Sequence, residues 1–490
     1  MKLYQISEPQ DNELVVGIDL GTTNSLIGYY EGNTIQIVPD KYNEDGVVPS
    51  VVAYTDNQVK VGYEALLCEK NIRSIKRLIG KGLNDNISAI YDIDINESSK
   101  EILKLTTNSK SVSPIEISSE ILKYLKKNAE EYTKKIVTKA VITVPAHFDD
   151  AARTATRNAA RIAGIEVLRI LNEPTAAAIA YDLNMNENEE VLVYDLGGGT
   201  FDVSIVKKNH GVLFVIATCG DNNLGGDDFD YEILKLLCNK AQIEVSLDYF
   251  KIAIDCKKYL SEYTSWQGSV AQRKIMVSRT EIEKVCQKLI ERTLVITEQI
   301  ILESKAHIKQ VVLAGGATRM PIIKHKIEKM FHCKALCSID PDQVVTIGAV
   351  LQAKSMTSEG SVLVDVLPLS LGIELMGEIV EVIIPRNTTI PIIAKKFFTT
   401  YKDNQTGFKV HVLQGEGQTV KECRSLGRFE LNGIPAKPAG QVKLEVIFKV
   451  DANGLLIVTA TELDTGNFCE IEVKPSYGLS ENEILKLIKL

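Results

Sequence analysis

The feature that most limits what this chain can become is a repeat within its N-terminal part. Val15 opens VVGIDLGTTNS and Val191 opens VLVYDLGGGTF. Each copy is an apolar, β-branched run, then Asp-Leu-Gly, then small residues and a threonine. The stretches beyond the two copies also match: SLIGYY-EGN-TIQIV after Thr23 and FDVSIV-KKNHG-VLFVIA after Thr200. Both read as a strand entering a tight glycine turn, followed by a hairpin. A repeat of this kind predicts two homologous α/β lobes.

The residue types suit phosphate. Glycine lets a backbone approach a ligand with no Cβ in the way, and successive N–H groups in such a turn make an anion-binding concavity. Asp19 and Asp195, at the strand ends, are placed to face a hydrated cation. One such turn alone could be an ordinary turn; two in matched contexts predict a clamp on a triphosphate. A third motif, VVLAGGATRMP from Val311 to Pro321, reads as a buried strand, a Gly-Gly turn and a helix starting near Pro321. Helix N-termini and Gly-Gly turns accept nucleotides.

With 490 residues the chain exceeds one hydrophobic core, so two or three domains are expected. The net charge of −8 argues against a nucleic-acid surface. Nine cysteines lie singly, with no C-x-x-C pair, which suits a reducing compartment. His332, Cys333 and Cys337 are close enough to suggest a metal site, although unreactive thiols at a strand edge are the simpler reading. Met1 to Asn12 carries no targeting pattern, and no apolar run reaches the roughly 18 residues of a membrane span. The expectation is a cytoplasmic protein with neither nucleic acid nor membrane among its partners.

GIDLGTTNS, VYDLGGGTFD and AGGATRMP resemble the two phosphate loops and the adenosine loop of the actin, sugar-kinase and heat-shock ATPase superfamily. AVITVPAHFDDAARTAT, LNEPTAAAIAY and IKRLIG resemble its seventy-kilodalton heat-shock chaperone branch. The resemblance implies an α/β fold: an actin-like ATPase domain of two duplicated ribonuclease-H-like lobes, followed by an antiparallel β-sandwich that binds peptide. The implied boundaries are a polar extension over 1–14, the ATPase domain over 15–355, a linker over 356–366, the sandwich over 367–475 and the start of a helical lid over 476–490.

The family's roles carry over by position. Gly21, Thr22, Thr23 and Asn24 match the first phosphate loop, and Gly197, Gly198, Gly199 and Thr200 the second. Lys76 matches the lysine that contacts the γ-phosphate and the attacking water. Glu173, Asp195, Thr200 and Asp202 complete the catalytic set. Asp19, Asp195 and Asp202 match carboxylates around hydrated Mg²⁺ and K⁺. Gly315, Gly316, Arg319, Lys257 and Lys258 match adenosine contacts. Ile254 and Glu262 depart from the pattern, standing where Glu and Ser are common. Fewer hydrogen bonds to the nucleoside should speed its release, which leans toward the HscA branch. Pro145 and Arg153 match a proline switch and its relay, and Asp365 is expected to pair with Arg169.

Val362-Leu363-Val364 with Asp365 resembles the family's linker, which docks on the ATPase domain when ATP is bound. From Leu367 the pattern turns to period two, with the turns D-A-N-G and D-T-G-N. Ile373, Phe398, Phe408 and Val410 match the lining of the peptide cleft, although Ile373 and Val410 could equally be sandwich core. Met376 and Tyr401 match the arch over the peptide. Large side chains at Phe408 and Tyr401 should narrow the client range. In the HscA branch the client is the iron–sulfur scaffold protein IscU, delivered by the J-domain co-chaperone HscB. Ser480 and Glu483 read as a capping box opening a helix whose Ile484, Leu485, Leu487 and Ile488 are expected to find little to pack against, as if the lid were cut short.

Rival readings are a general protein-folding chaperone, a sugar or metabolite kinase on the same ATPase fold, and a degenerate module that takes ATP without turnover. The kinase reading accounts for the three loops but not for Lys76, the apolar linker or the sandwich.

Overall fold

The computed structural model describes residues 12–56, 58–82, 103–107, 111–181, 185–357, 363–472, 479 and 481–488; Val362 and Ser480 lie outside them. Two sheets carry the repeated strands. In the first, Glu13–Asp19 lies between Asn24–Glu31, antiparallel, and Ile136–Val144, parallel. Thr34–Ile37 and Glu166–Asn172 flank these three. In the second, Glu190–Leu196 lies between Phe201–Asn209, antiparallel, and Gln310–Ala314, parallel. Val212–Asp221 and Ala335–Leu336 flank that set. Strand order and direction repeat, so matched sequences occupy matched places. Val16, Ile18, Leu192, Val193 and Tyr194 are fully buried. Continuous burial is what parallel strands covered on both faces require.

The helix Val344–Thr357 lies between the two sheets. A Cβ on Gly348 would fall 1.8 Å from the Ala176 carbonyl oxygen, and one on Gly17 would come within 2.3 Å of Val350 N. Backbone therefore rests on backbone there, and only glycine permits it.

Beyond residue 366 two four-stranded antiparallel sheets face each other. One runs Ile379–Ile384, Leu371–Leu375, Gly407–Gln414, Arg424–Asn432. The other runs Ile392–Phe398, Leu444–Val450, Leu456–Glu462, Phe468–Glu472. Burial alternates residue by residue along Leu456–Glu462, as a period-two pattern demands. Val412, Val446, Phe448 and Val458 fill the space between the sheets.

The sandwich is docked against the N-terminal part. Arg424 forms an ion pair with Asp149 and donates to the Gly80 carbonyl. Leu456 N donates to Asp150 Oδ1 at 3.0 Å, and Ile170 N to Asn453 Oδ1 at 3.1 Å. Leu363–Val366, the end of the expected linker, is a strand. It pairs in parallel with Leu213 and Phe214 and antiparallel with Thr389 and Ile390.

One expectation is corrected. The helix Glu481–Ile488 does find a surface: Ile484 is buried and Leu487 packs against the first core, while Leu485 and Ile488 stay exposed. Its amphipathic stripe lies on the helix Asp150–Ile162, where Arg161 pairs with Glu481 at 2.6 Å.

Candidate functional site

The two glycine loops meet across a cleft. A Cβ on Gly198 would fall 1.7 Å from Thr23 Oγ1, and one on Gly199 would fall 2.4 Å from Thr22 Cγ2. Thr23 Oγ1 donates to Asp227 Oδ1 at 3.3 Å. Gly226 N and Asp227 N occupy the carbonyls of Gly197 and Gly198, fixing the second loop from behind. Gly21 O accepts from Ser50 Oγ at 2.8 Å, fixing the first. Beside the first loop an open cavity of about 980 Å³ is lined by Thr22, Thr23 and Asn24 and by Ile254, Lys258 and Arg319; the second loop is not part of its lining. That volume suits a nucleotide-sized ligand.

Acidic groups converge behind the loops. Asp19 accepts from Thr143 Oγ1 at 2.9 Å and Asp202 from His147 N at 3.0 Å. Burial, then repulsion from Glu173, pushes Asp19 up to about 7 and Asp202 up to about 8, and raises Asp195 well above the carboxylate range. Asp195 Oδ2 is buried without a hydrogen-bond partner. Packed carboxylates of this kind call for positive charge. Among the described residues no group of three His, Cys, Asp or Glu side chains is placed to hold a metal ion directly. His332, Cys333 and Cys337 make no such group either; Cys333 packs against the second core.

The positive charge supplied by the chain is Lys76. It sits on a single 3₁₀ turn, Ile75–Arg77, entered through Ser74 in the left-handed region. Lys76 is 5% exposed, and its Nζ donates to Glu173 Oε1. Glu173 opens the helix Glu173–Tyr181, and Thr200 is buried beside the second loop.

The third loop turns at Gly315, whose φ of 80° and 2.4 Å approach to the Leu196 carbonyl oxygen suit glycine alone. Gly316 faces Asp342, and Arg319 pairs with Asp340 and Asp342. Lys258 lines the cleft. Lys257 instead pairs with the buried Asp230 at 2.8 Å and donates to Gly226 O, which makes it a support for the helix behind the second loop.

A continuous set of contacts leads away from the acids. The Pro145–Phe148 turn offers His147 N to Asp202. Arg153 holds that turn from its other side, donating to Ala146 O at 3.0 Å and Phe148 O at 3.1 Å. The same guanidinium donates to Asn172 Oδ1 at 2.6 Å, and Asn172 Nδ2 donates to Asp365 Oδ2 at 2.9 Å. Asp365 thus meets Asn172 and Thr175 rather than forming the expected ion pair with Arg169, which lies on the same strand as Asn172 with its Nε unpartnered.

In the sandwich, Ile373 and Val410 are 1% exposed and belong to the core. Phe398 and Phe408 stack with ring centroids 6.3 Å apart at the edge of that core. Met376 and Tyr401 stand exposed. Part-exposed apolar side chains at the edge of a sandwich form a shelf that can accept an extended peptide.

Sequence reasoning missed the residues that close the cleft. Arg77 Nε donates to Gly199 O at 2.9 Å and pairs with Asp228, and Ser74 Oγ donates to Asp227 Oδ2 at 2.6 Å. These contacts join the Lys76 turn to the second glycine loop. The adjacent acids of GGDD and the Arg of IKRLIG were the available signal.

Comparison with known proteins identifies the family. A family model described as Hsp70 protein matches residues 15–490. A relative named chaperone protein HscA homolog from Rickettsia prowazekii is 43% identical across all of this chain and 83% of its own length. One of the same name from Pasteurella multocida is 44% identical over the same shares.

Proposed function

The chain belongs to the Hsp70 family, and from that premise we propose that it is an ATP-hydrolysing chaperone whose nucleotide state sets the grip of its β-sandwich on client peptide. The ATPase domain is assigned to 15–355 and is read as actin-like, with duplicated ribonuclease-H-like lobes. The linker is assigned to 356–366 and the peptide-binding domain to 367–475. The observation that carries the reading is the opposed pair of glycine loops joined by hydrogen bonds to a docked linker.

In this reading the loop amides hold the phosphates, and Lys76 is set against the oxygens that gain negative charge as the γ-phosphoryl departs. Fixed charge at that point is the main catalytic device in phosphoryl transfer. Asp195 and Thr200 lie close to the attacking water, and Glu173 would sense the nucleotide through a water of the Mg²⁺. Mg²⁺ and K⁺ would be held through water by Asp19, Asp195 and Asp202, where they neutralise phosphate charge. Lys258, Arg319 and the 315–316 turn cover the nucleoside. Ile254 offers it no hydrogen bond, which favours fast exchange.

The name HscA homolog on the relatives supports the specialised branch, and in this reading the chain works in iron–sulfur cluster assembly, in the cytoplasm, with an IscU-type scaffold as client and an HscB-type J-domain protein as helper. ATP turnover is measured with each alone and both together. A rise only with both supports the specialised role, and equal stimulation by any unfolded client favours a general chaperone. Phosphorylation of a sugar would favour the kinase reading.

A pH effect on docking arises at Asp150. Its Oδ1 accepts from Leu456 N of the sandwich, and burial raises its pKa to about 7. Asp149, Arg153 and Arg157 face it from its own helix, and Arg424 and Gln414 from the sandwich. Undocked, it returns to a carboxylate value of about 4. Docking therefore takes up a proton between those values, strengthens as pH falls through about 7 and weakens above it. Asp150 alone would raise the docking constant about tenfold from pH 8 to pH 6. His147, whose pKa burial lowers, opposes that rise below its free value of about 6.5, so a rise of a few-fold is expected, read by fluorophores on the two domains. Asp150→Asn should remove the rise.

A further inference from the structure

The path from the acids to Asp365 ends at the linker. A second path leads into the sandwich, beginning at Arg424. Its guanidinium is held by Asp149, the N-cap of the helix that carries Arg153, and by the carbonyl of Gly80. Gly80 ends the turn that bears Lys76, and a Cβ on it would fall 2.5 Å from Ala152 N. Arg424 is therefore anchored where the catalytic turn rests on that helix.

Its neighbour continues inward. Ser425 Oγ lies 2.8 Å from His411 Nε2, and His411 Nδ1 lies 2.6 Å from Glu374 Oε2. A carboxylate can only accept, so Nδ1 carries a proton toward Glu374, and Nε2 shares the second hydrogen bond with the serine hydroxyl, which can donate or accept. The three groups sit on three adjacent strands, with His411 6% exposed between them. The strand pairing slips at this point, between Val412 and Leu413 opposite Gly427 and Ser425. Backbone register alone is thus locally weakened where the side chains bridge. Glu374 is followed by Leu375 and then by the exposed Met376. The loop before Arg424 reaches the same hairpin: Val380 N donates to Gln418 O and Val420 N to Glu378 O, both at 3.0 Å.

We propose that Glu374, His411 and Ser425 form a hydrogen-bonded relay that transmits the seating of Arg424 on the ATPase domain to the Met376 hairpin, so that docking opens the peptide shelf. The three are positioning residues, touching neither nucleotide nor peptide. When Arg424 is seated, Ser425 is held at one point of its strand, and the imidazole passes that constraint across the sheet to Glu374. When Arg424 leaves, the strand around the register slip is free to shift, and the hairpin moves with it. The proposal rests on the reading of Met376 as part of a peptide site.

The test uses the full chain with a fluorescent apolar peptide, tracking ATP-triggered release, ADP-state affinity and basal turnover. Arg424→Ala, Ser425→Ala and His411→Gln should each slow triggered release about tenfold, the effect of losing one charge-linked hydrogen bond. ADP-state affinity and the basal turnover of the Ser425 and His411 variants should stay at the parent values. Arg424→Ala combined with His411→Gln should be no slower than the slower single variant, since members of one chain are not additive. Ser425→Thr, which keeps the hydroxyl and suits a strand, should restore release. Parent-like release in Ser425→Ala and His411→Gln, multiplied losses in the double variant, or no rescue by threonine would overturn the relay. If the parent protein shows no ATP-triggered release, the peptide-site reading fails with it; if the parent does and the variants match it, only the relay fails.

Discussion

Lys76→Ala is expected to lower the rate of ATP hydrolysis by about 10²–10³-fold, the usual effect of deleting one preorganised charge at a reacting centre. The lysine is buried, and its ammonium is the cation among Glu173, Asp195, Asp202 and Asp19, as the direction of its effect on three of them records. Nucleotide should still bind, because the loops and the cover over the nucleoside are untouched. Single-turnover hydrolysis should therefore collapse while ADP affinity changes little. Removing the lysine also leaves Glu173 buried without its partner, which costs stability. Adding Glu173→Gln to Lys76→Ala should return thermal stability, which shows that the stability loss came from the unpartnered carboxylate. Hydrolysis within a few-fold of the parent in Lys76→Ala would remove this residue from the chemistry.

The second large effect is steric. Gly199→Val places carbon where Thr22 Cγ2 and Arg77 Nε already lie, at 2.4 Å and 2.9 Å from the first carbon alone. The second loop also packs on Gly225, whose own Cβ would fall 2.6 Å from Gly199 N, so there is no room to retreat. The two loops can no longer close on one ligand, and ADP affinity measured by calorimetry should fall by about a hundredfold or more, the loss expected when several charge-assisted contacts are broken together. Because the clash lies in the cleft and not in either sheet, secondary structure and the sandwich core should survive, as circular dichroism would report. Undiminished ADP binding in Gly199→Val would mean that the loops do not clamp the phosphates.

Much of this site was legible in the chain because its signals are local. Each Asp-Leu-Gly run carries its strand, its turn and its ligand chemistry within about a dozen residues, and repetition makes each copy evidence for the other. The sandwich strands from Leu444 onward were legible for the same reason: their alternation is set by the residue itself and its neighbour but one. What stayed hidden depends on partners far along the chain. Arg77 meets Gly199 and Asp228, and Ser74 meets Asp227; the Arg of IKRLIG and the acids of GGDD are each visible in the sequence, but about 150 positions separate them and no local pattern pairs them. Lys257 was expected at the nucleoside because its neighbourhood resembles such a helix. One step of helical rotation decides between cleft and interior, and the buried Asp230 settles it inward. Ile373 and Val410 were open between core and cleft, since apolar strand residues look alike from either side; their partners across the sandwich put them inside. The bridge from Glu374 through His411 to Ser425 spans three strands and has no sequence pattern of its own.

The pairing of Leu363–Val366 with Leu213 and Phe214 has a consequence for the protein's solubility. That segment covers the open side of Val212–Asp221, a strand that otherwise ends its sheet with unpaired amides and carbonyls. Uncovered strands of this kind recruit other chains. In the proposed cycle, each release of the segment therefore bares a sticky rim for as long as the domains stay apart, and a short interval would protect the chaperone from the fate of its own clients.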